Sequence, residues 1–238
     1  MKISFILLAH NEEKNIEKDI YSLKNKVLDK LNKLQYELII SEDGSIDDTK
    51  KIIKNLKRKI NFKYFSSIKR KGVCRAMYES FKKATGDYVF FSDSGQKFNF
   101  IDFWKLYPFI KKFDVVSGLR TNRVDQMYRR ILTKFFNIFL RTILNSSYSD
   151  IDSGFKIFRT KALKKILFKK PINTDFFSAE ICLKLQYLGY SCIEVPVRYN
   201  QRDDISKALP IYKIPLLIYN FLKNFRSLKK ELNYYLNK

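Results

Sequence analysis

The sequence predicts an α/β protein built on a mostly parallel, doubly wound sheet. Between residues 3 and 118, short apolar runs alternate with stretches whose apolar residues recur at helical spacing. This alternation is typical of parallel strands joined by crossover helices. After Arg120 the helical stretches lengthen, and the chain ends in a basic amphipathic segment. We therefore expect an α/β domain over residues 1–208 and a basic helical tail over residues 209–238.

Each strand is predicted from a short apolar run that ends in polar or turn-forming residues. These runs fall at residues 3–8, 38–40, 62–65, 88–92 and 115–118, within 150–158, and at 192–197. Helices are predicted where apolar residues recur every three or four positions. They fall at residues 15–31, around 52–56, and at 73–84, 101–113, 126–144, 178–188 and 213–236.

The basic composition favours a polyanionic ligand. The 238 residues include 47 Lys and Arg against 24 Asp and Glu, which gives a formal charge of +23. Such a surface attracts nucleic acid, anionic lipid headgroups or phosphorylated ligands. The sequence carries no nucleic-acid recognition motif, so a nucleic-acid partner is not expected.

Several features of the sequence favour a cytoplasmic location. The residues after Met1 lack the apolar region of a signal peptide. No uncharged apolar run approaches the roughly 20 residues needed to span a bilayer. Cys74, Cys182 and Cys192 are odd in number, widely spaced and without a metal-binding pattern, as is usual in a reducing compartment.

Asp93 is the first candidate functional residue. It follows the apolar run at residues 88–92, and ligands of open α/β sheets bind outside the carboxyl ends of the strands. A carboxylate there can hold a divalent cation, which in turn can hold a diphosphate. The alternative is that Asp93 only begins a turn, because Asp and Gly are ordinary turn residues.

Five segments, taken in order, carry a resemblance to a known family. They are LLAHNEEKNI at 7–16, IISEDGSIDDT at 39–49, KGVCRAMYESFKKATGDYVFFSDSGQ at 71–96, DIDSGFKIFR at 150–159 and GYSCIEVPVRYNQRDDISK at 189–207. Together they resemble the inverting glycosyltransferases of family 2, which have a Rossmann-like GT-A fold. They are most similar to polyprenyl-phosphate sugar synthases of the dolichol-phosphate mannose synthase type. The resemblance implies a UDP- or GDP-sugar donor and a polyprenyl-phosphate acceptor.

The resemblance also implies roles for individual residues. Those placed against the donor nucleotide are Leu8, Ala9, His10, Glu12, Glu42, Asp43, Lys71, Gly72, Ser94 and Arg120. The implied catalytic residues are Asp93, Arg130, Arg202 and Lys207, and Arg129 replaces Arg130 if the register shifts by one position. Asp152, Ser153 and Gly154 resemble the loop on the acceptor side.

Asp93 and Gln96 match the residues that hold Mg²⁺ or Mn²⁺ in this family. Asp93 corresponds to the first acid of the family's Asp-x-Asp motif, but Gly95 stands where the second acid is expected. A cation held by one carboxylate would depend more on the substrate's phosphates and on water.

Two other functions stay open from the sequence. If the acceptor is a sugar hydroxyl of a surface polysaccharide, a general base is needed, and Asp175 or Glu180 is the candidate. The second alternative is a non-catalytic, basic protein that binds polyanions.

Two amphipathic segments predict contact with an anionic membrane surface. Residues 126–144 and 211–236 combine large apolar side chains with Lys and Arg, a pattern typical of helices that lie in the membrane interface. We therefore expect a peripheral protein on the cytoplasmic leaflet. The alternative is that the apolar stripes pack in the core or in a homo-oligomer contact.

Overall fold

The computed structural model describes residues 1–31, 36–121, 127–172, 176–200 and 211–236. Its strands are β1 (Ile3–Ala9), β2 (Tyr36–Glu42), β3 (Lys63–Ser66), β4 (Tyr88–Asp93), β5 (Val115–Thr121), β6 (Phe155–Arg159) and β7 (Cys192–Arg198). Within the described ranges they form one sheet in the order β3-β2-β1-β4-β6-β5-β7. Strand β6 runs antiparallel to both of its neighbours, and the other pairings are parallel.

Helices cover both faces of this sheet. They are α1 (Ile16–Lys26), α2 (Thr49–Lys57), α3 (Val73–Lys83), α4 (Phe103–Leu106), α5 (Met127–Leu144), α6 (Thr160–Ile166), α7 (Phe177–Tyr187) and α8 (Ile214–Leu236). One core cluster joins the sheet to α3 and α5 to α8, and a second joins it to α1, α2 and α4. The fold class predicted from the sequence is therefore confirmed.

The structure differs from the predicted elements in three helical regions. The helix expected at 15–31 ends at Lys26 and is followed by a 3-10 turn at Leu28–Lys30. The helix expected at 101–113 is broken into a 3-10 turn at Phe100–Asp102, the four-residue α4 and a second 3-10 turn at Tyr107–Phe109. Pro108, in the second of these turns, has no N–H to continue an α-helix. Helix α6 was missed because seven residues are too few to show a clear helical period.

Strand register brings the first three motifs to one edge of the sheet. Leu8 on β1 pairs with Asp93 on β4, and Ala9 pairs with Glu42 on β2. Because β6 is antiparallel, the chain that enters it arrives at this same edge. The backbone N–H of Asp93 donates to the carbonyl of Gly154 at 2.9 Å.

Helix α8 packs onto the α/β domain. Phe221 contacts the rings of Phe136 and Phe139 from α5, and of Phe176 just before α7. Leu228 and Leu232 belong to the same core cluster as α7. The expected boundary between residues 208 and 209 lies outside the described residues. Among the helices that the structure does describe, none has the length and apolarity needed to cross a bilayer.

Candidate functional site

Asp43 connects the segment at residues 39–49 to the start of α3 by hydrogen bonds. Its carboxylate accepts hydrogen bonds from the backbone N–H groups of Lys71 at 2.7 Å and Gly72 at 2.8 Å. Its carbonyl lies 2.8 Å from Nδ1 of His10, so the first motif joins the same contact. A Cβ on Gly44, at φ +65°, would lie 2.3 Å from the backbone nitrogen of Arg70. Only glycine allows this close approach of the two loops.

The carboxylate of Glu42 is buried and hydrogen-bonded within the protein. The residue is 1% exposed and accepts from the hydroxyl of Ser66 at 2.5 Å and from the backbone N–H of Ser45. Leu8 and Ala9 are also buried. Glu12 is buried too, and its backbone N–H donates to Thr49 at 2.8 Å. Of the predicted donor residues, His10, Asp43, Lys71 and Gly72 are therefore brought together, whereas the Glu42 carboxylate is used internally.

Asp93 lies against Gly154 and Lys97 at the carboxyl edge of β4. Its Oδ2 atom is 3.2 Å from the ammonium nitrogen of Lys97. A Cβ added to Gly154 would lie 2.3 Å from the same oxygen, so a side chain there would displace the carboxylate. Ser94 is buried beside this pair.

The loop after Asp93 is held by Asp19 of α1. The Asp19 carboxylate accepts from the backbone N–H groups of Gly95 at 2.6 Å and Gln96 at 3.2 Å. It also accepts from the side-chain amide of Gln96 at 2.7 Å. Burial raises the pKa of Asp19 to about 6, against the lowering effect of these hydrogen bonds. Gln96, predicted as a metal ligand, is thus bound to α1 through its amide nitrogen.

The loop before β6 carries a second charged group. Arg120 makes a bidentate ion pair with Asp150, at 2.7 and 2.6 Å. The buried ammonium of Lys156 donates to the carbonyls of Ile151, at 2.8 Å, and Ser153, which fixes the turn between them. Burial raises the pKa of Asp152 to about 6, although Lys156 and Arg120 act to lower it.

Ser153, predicted to face the acceptor, is fully buried. Its hydroxyl has no hydrogen-bond partner among the described residues. Of the predicted acceptor residues, Gly154 therefore lies at the site, against Asp93, and the Ser153 side chain is directed into the core.

A cavity of about 480 Å³ opens between this charged group and the helices α5 and α8. Its polar end is formed by Asp93, Lys97, Arg120, Arg129, Asp152 and Tyr199. Its apolar walls are formed by Leu132, Phe135, Phe136, Phe139, Phe176, Ile214, Leu217, Ile218, Phe221 and Leu222. The cavity thus joins a charged pocket at the sheet edge to a hydrophobic groove.

Arg129, and not Arg130, lines this cavity. Arg130 is exposed on α5, so the predicted position is corrected by one residue. Arg202, Lys207 and Asp175 lie outside the described residues.

Glu180, the alternative base, lies away from the cavity. It is 2% exposed, pairs with Lys184 at 2.6 Å and accepts from the backbone N–H of Ile172 at 3.0 Å. Lys184 also contacts Glu231 of α8 at 3.1 Å. This ion-pair group connects α7 to α8.

The side chains at Asp93 do not fit Mg²⁺ or Mn²⁺. Gly95 has no carboxylate, Gln96 donates its amide to Asp19, and Asp93 already contacts an ammonium group. Within the described ranges, no group of three His, Cys, Asp or Glu side chains could hold an ion. The metal ligands that the resemblance implies are therefore not assembled here.

Sequence reasoning missed Asp19 and Lys97. Asp19 lies in the first turn of α1, 76 residues from its partner Gly95, so no local pattern indicates its contact. Lys97 lies four residues after Asp93, and that short spacing was an available signal.

A family model and curated relatives match most of the chain. Residues 4–167 match the model described as glycosyl transferase family 2. A dolichyl-phosphate beta-glucosyltransferase of Dictyostelium discoideum is 26% identical over 84% of this chain and 67% of its own length. Glycosyltransferase AglD of Haloferax volcanii is 25% identical over 86% of this chain, which spans only 34% of that larger protein.

Solved structures share the fold. Glucosyl-3-phosphoglycerate synthase of Mycobacterium tuberculosis, in complex with Mn²⁺, UDP and phosphoglyceric acid, gives a TM-score of 0.69 at 18% identity, over 95% of this chain and 78% of that one. TarS of S. aureus with UDP-GlcNAc gives 0.64 at 20% identity, over 97% and 66%. At these identities the likeness shows the fold alone.

Proposed function

Because this chain belongs to glycosyl transferase family 2, we propose that it moves a sugar from a UDP- or GDP-sugar to the phosphate of a polyprenyl phosphate, with inversion. The cavity between α5 and α8 is the observation that carries the proposal. Its charged end suits a phosphate and its apolar walls suit an isoprenoid chain. The Dictyostelium relative, by its name, acts on a dolichyl phosphate.

The chemistry requires positioning of charge more than proton transfer. A phosphate monoester has a second pKa near 6, so its oxygen is already anionic at neutral pH. It can attack the anomeric carbon of the sugar without a general base. The internal pairing of Glu180 with Lys184 agrees with this acceptor. Arginine suits phosphate through paired N–H donors, and Arg129 lines the cavity, whereas the paired donors of Arg120 are taken by Asp150.

The donor nucleotide is assigned to the edge formed by β1, β2 and the start of α3. His10, Asp43 and Gly72 meet there, and α3 begins at this point, so the positive end of its dipole favours an anion. The donor diphosphate then extends toward Asp93 and the charged end of the cavity.

A lipid acceptor requires a membrane surface, and α5 and α8 offer one. Met127, Ile131 and Phe135 of α5 and Leu216, Tyr219 and Leu222 of α8 are exposed. Lys134 lies on α5 and Lys223 on α8, and Lys213 directly precedes α8. We assign this surface, the α5–α8 face, to peripheral contact with the anionic cytoplasmic leaflet.

A comparison of acceptors tests the proposal. Purified protein receives labelled UDP- and GDP-sugars with polyprenyl phosphate, a short-chain alkyl phosphate, or a polysaccharide hydroxyl acceptor. We expect label only on the isoprenoid phosphate. Leu132→Gln, in the cavity wall, should raise KM for the lipid about 10-fold and leave KM for the donor unchanged. Lys54→Gln on α2 is the control. Label on the hydroxyl acceptor would contradict the proposal.

A further inference from the structure

Lys97 occupies the place next to Asp93 where a divalent cation would be expected. Its ammonium nitrogen is 3.2 Å from Oδ2 of Asp93, and its side chain is only 18% exposed. Both residues line the charged end of the cavity. An ammonium group has three N–H donors, so it can contact Asp93 and a phosphate oxygen together.

The loop cannot easily rearrange to supply more metal ligands. Gly95 and Gln96 both adopt left-handed conformations, at φ +89° and +55°. Asp19 accepts three hydrogen bonds from these two residues and is 1% exposed. Turning Gln96 toward Asp93 would break one of them and leave a buried carboxylate less satisfied, which is costly.

The net charge is the same for a divalent cation held by two carboxylates as for the ammonium group of Lys97 beside Asp93. A divalent cation held by two carboxylates is electrically neutral as a group. One carboxylate paired with one ammonium is neutral as well, and Asp93 with Lys97 is such a pair. The diphosphate would thus meet the same net charge in either arrangement, with a positive group at its contact surface.

We propose that the ammonium group of Lys97 takes the place of the divalent cation and binds the donor diphosphate directly. This inference rests on the proposed function. In the transfer step, the acceptor phosphate oxygen forms a bond to the anomeric carbon. The bond from that carbon to the diphosphate oxygen breaks, and the nucleoside diphosphate leaves with the electron pair. Lys97 hydrogen-bonds the leaving oxygens and keeps its proton, so the step needs no metal and no base.

Calorimetric titration with UDP and GDP tests this directly. Each is titrated in EDTA and in Mn²⁺, with uridine and guanosine as ligands that lack the diphosphate. We expect the full chain to bind one nucleoside diphosphate with an affinity that EDTA changes less than about 3-fold. Lys97→Met should weaken that binding at least about 10-fold and leave nucleoside binding unchanged, because a charged hydrogen bond is lost.

Two variants separate the charge of Lys97 from its packing. Lys97→Arg should keep the EDTA-resistant binding. Lys112→Met removes an exposed lysine away from the cavity and should bind as the parent does. The circular dichroism and Tm of each variant are recorded alongside, to confirm that it is folded.

A parent protein that loses 10-fold or more in EDTA would overturn the inference, and so would a Lys97→Met variant that binds like the parent. Both results would leave the proposed glycosyl transfer standing. Failure of UDP and GDP to bind with or without Mn²⁺ would instead contradict the donor site of the proposed function, and the inference would fall with it.

Discussion

Asp93 and Gly154 are in such close contact that any side chain at position 154 would displace the Asp93 carboxylate. An added Cβ would lie 2.3 Å from the Oδ2 atom of Asp93. The carbonyl of Gly154 also accepts from the backbone N–H of Asp93 at 2.9 Å. The carboxylate at the centre of the site therefore owes its position to the loop that precedes β6.

Gly154→Ala should displace the Asp93 carboxylate and lower kcat at least about 10-fold, because small displacements of positioned groups are costly. The clash should also lower the free energy of unfolding by about 1–3 kcal/mol. The kcat and the free energy of unfolding are measured for this variant and for Asp93→Ala, which should abolish transfer. In the double variant the clash partner is gone, so Gly154→Ala should add little further loss of stability. An equal loss of stability in both backgrounds would contradict the contact.

Arg129 and Arg130 form a matched pair of neighbouring arginines with different surroundings. Arg129 lines the cavity and Arg130 is exposed. Arg129→Ala should lower kcat/KM for the phosphate acceptor about 10- to 100-fold, the loss expected for a charged hydrogen bond. Arg130→Ala should change it less than about 3-fold. The opposite order would restore Arg130 as the functional residue.

Glu180→Gln tests whether the reaction needs a general base at this position. With a phosphate acceptor, kcat should stay within about 3-fold of the parent value. The variant should still be less stable by about 1–3 kcal/mol, because Lys184 loses a buried partner and keeps only Glu231. Denaturant unfolding and steady-state kinetics separate the two effects. A fall of 10²-fold or more in kcat with the fold intact would indicate a hydroxyl acceptor.

The lowered pKa of Glu37 predicts that the free energy of unfolding falls in acid. Burial alone would raise its pKa, but hydrogen bonds from Lys63, Ser4 and Thr85 lower it to about 2. The folded state therefore favours the ionised form, and its contribution is present above the unfolded pKa of about 4.3. That contribution should be lost as the pH falls from about 4 toward 2.

The corresponding measurement is the free energy of unfolding against pH for the parent and Glu37→Gln. The difference between them should shrink as the pH falls through this window. A difference that does not vary with pH would show that Glu37 has the same pKa in the folded and unfolded states.

The α5–α8 face predicts salt-sensitive membrane binding. In liposome flotation at low salt, the protein should float with anionic vesicles and be partly released at high salt, because each Lys or Arg near the surface contributes about 1 kcal/mol. Phe135→Asp with Leu222→Asp should abolish flotation, whereas Ile101→Asp, an exposed apolar site outside both helices, should not. If the parent protein floated with neither neutral nor anionic vesicles, the proposed membrane contact would be contradicted.

The sequence predicted the strands better than their directions. Buried strands leave short apolar runs, and each of the seven predicted runs coincides with a strand in the described residues. The antiparallel direction of β6 depends on the route taken by its connections, which no local pattern encodes. The helix predicted at 101–113 was wrong, because Pro108 interrupts it.

Site residues at strand ends were predictable, and those placed by tertiary contact were not. Asp43 and Asp93 follow apolar runs, so the topology indicated their common edge. The choice between Arg129 and Arg130 depends on helix phase, because one residue turns the side chain by about 100°. Asp19 acquires its role only when α1 packs beside the loop after β4.

The reversed direction of β6 has a consequence for how specificity can diverge. Under the proposed function, the nucleotide sugar is bound by residues that precede β5, and the acceptor by the chain from β5 onward. The two substrates are therefore bound by successive lengths of the polypeptide, which come together at the site where Gly154 contacts Asp93 and Asn200 contacts Lys97. Substitutions in the chain from β5 onward, or its replacement by the same segment of a relative, can then change acceptor preference without changing donor preference.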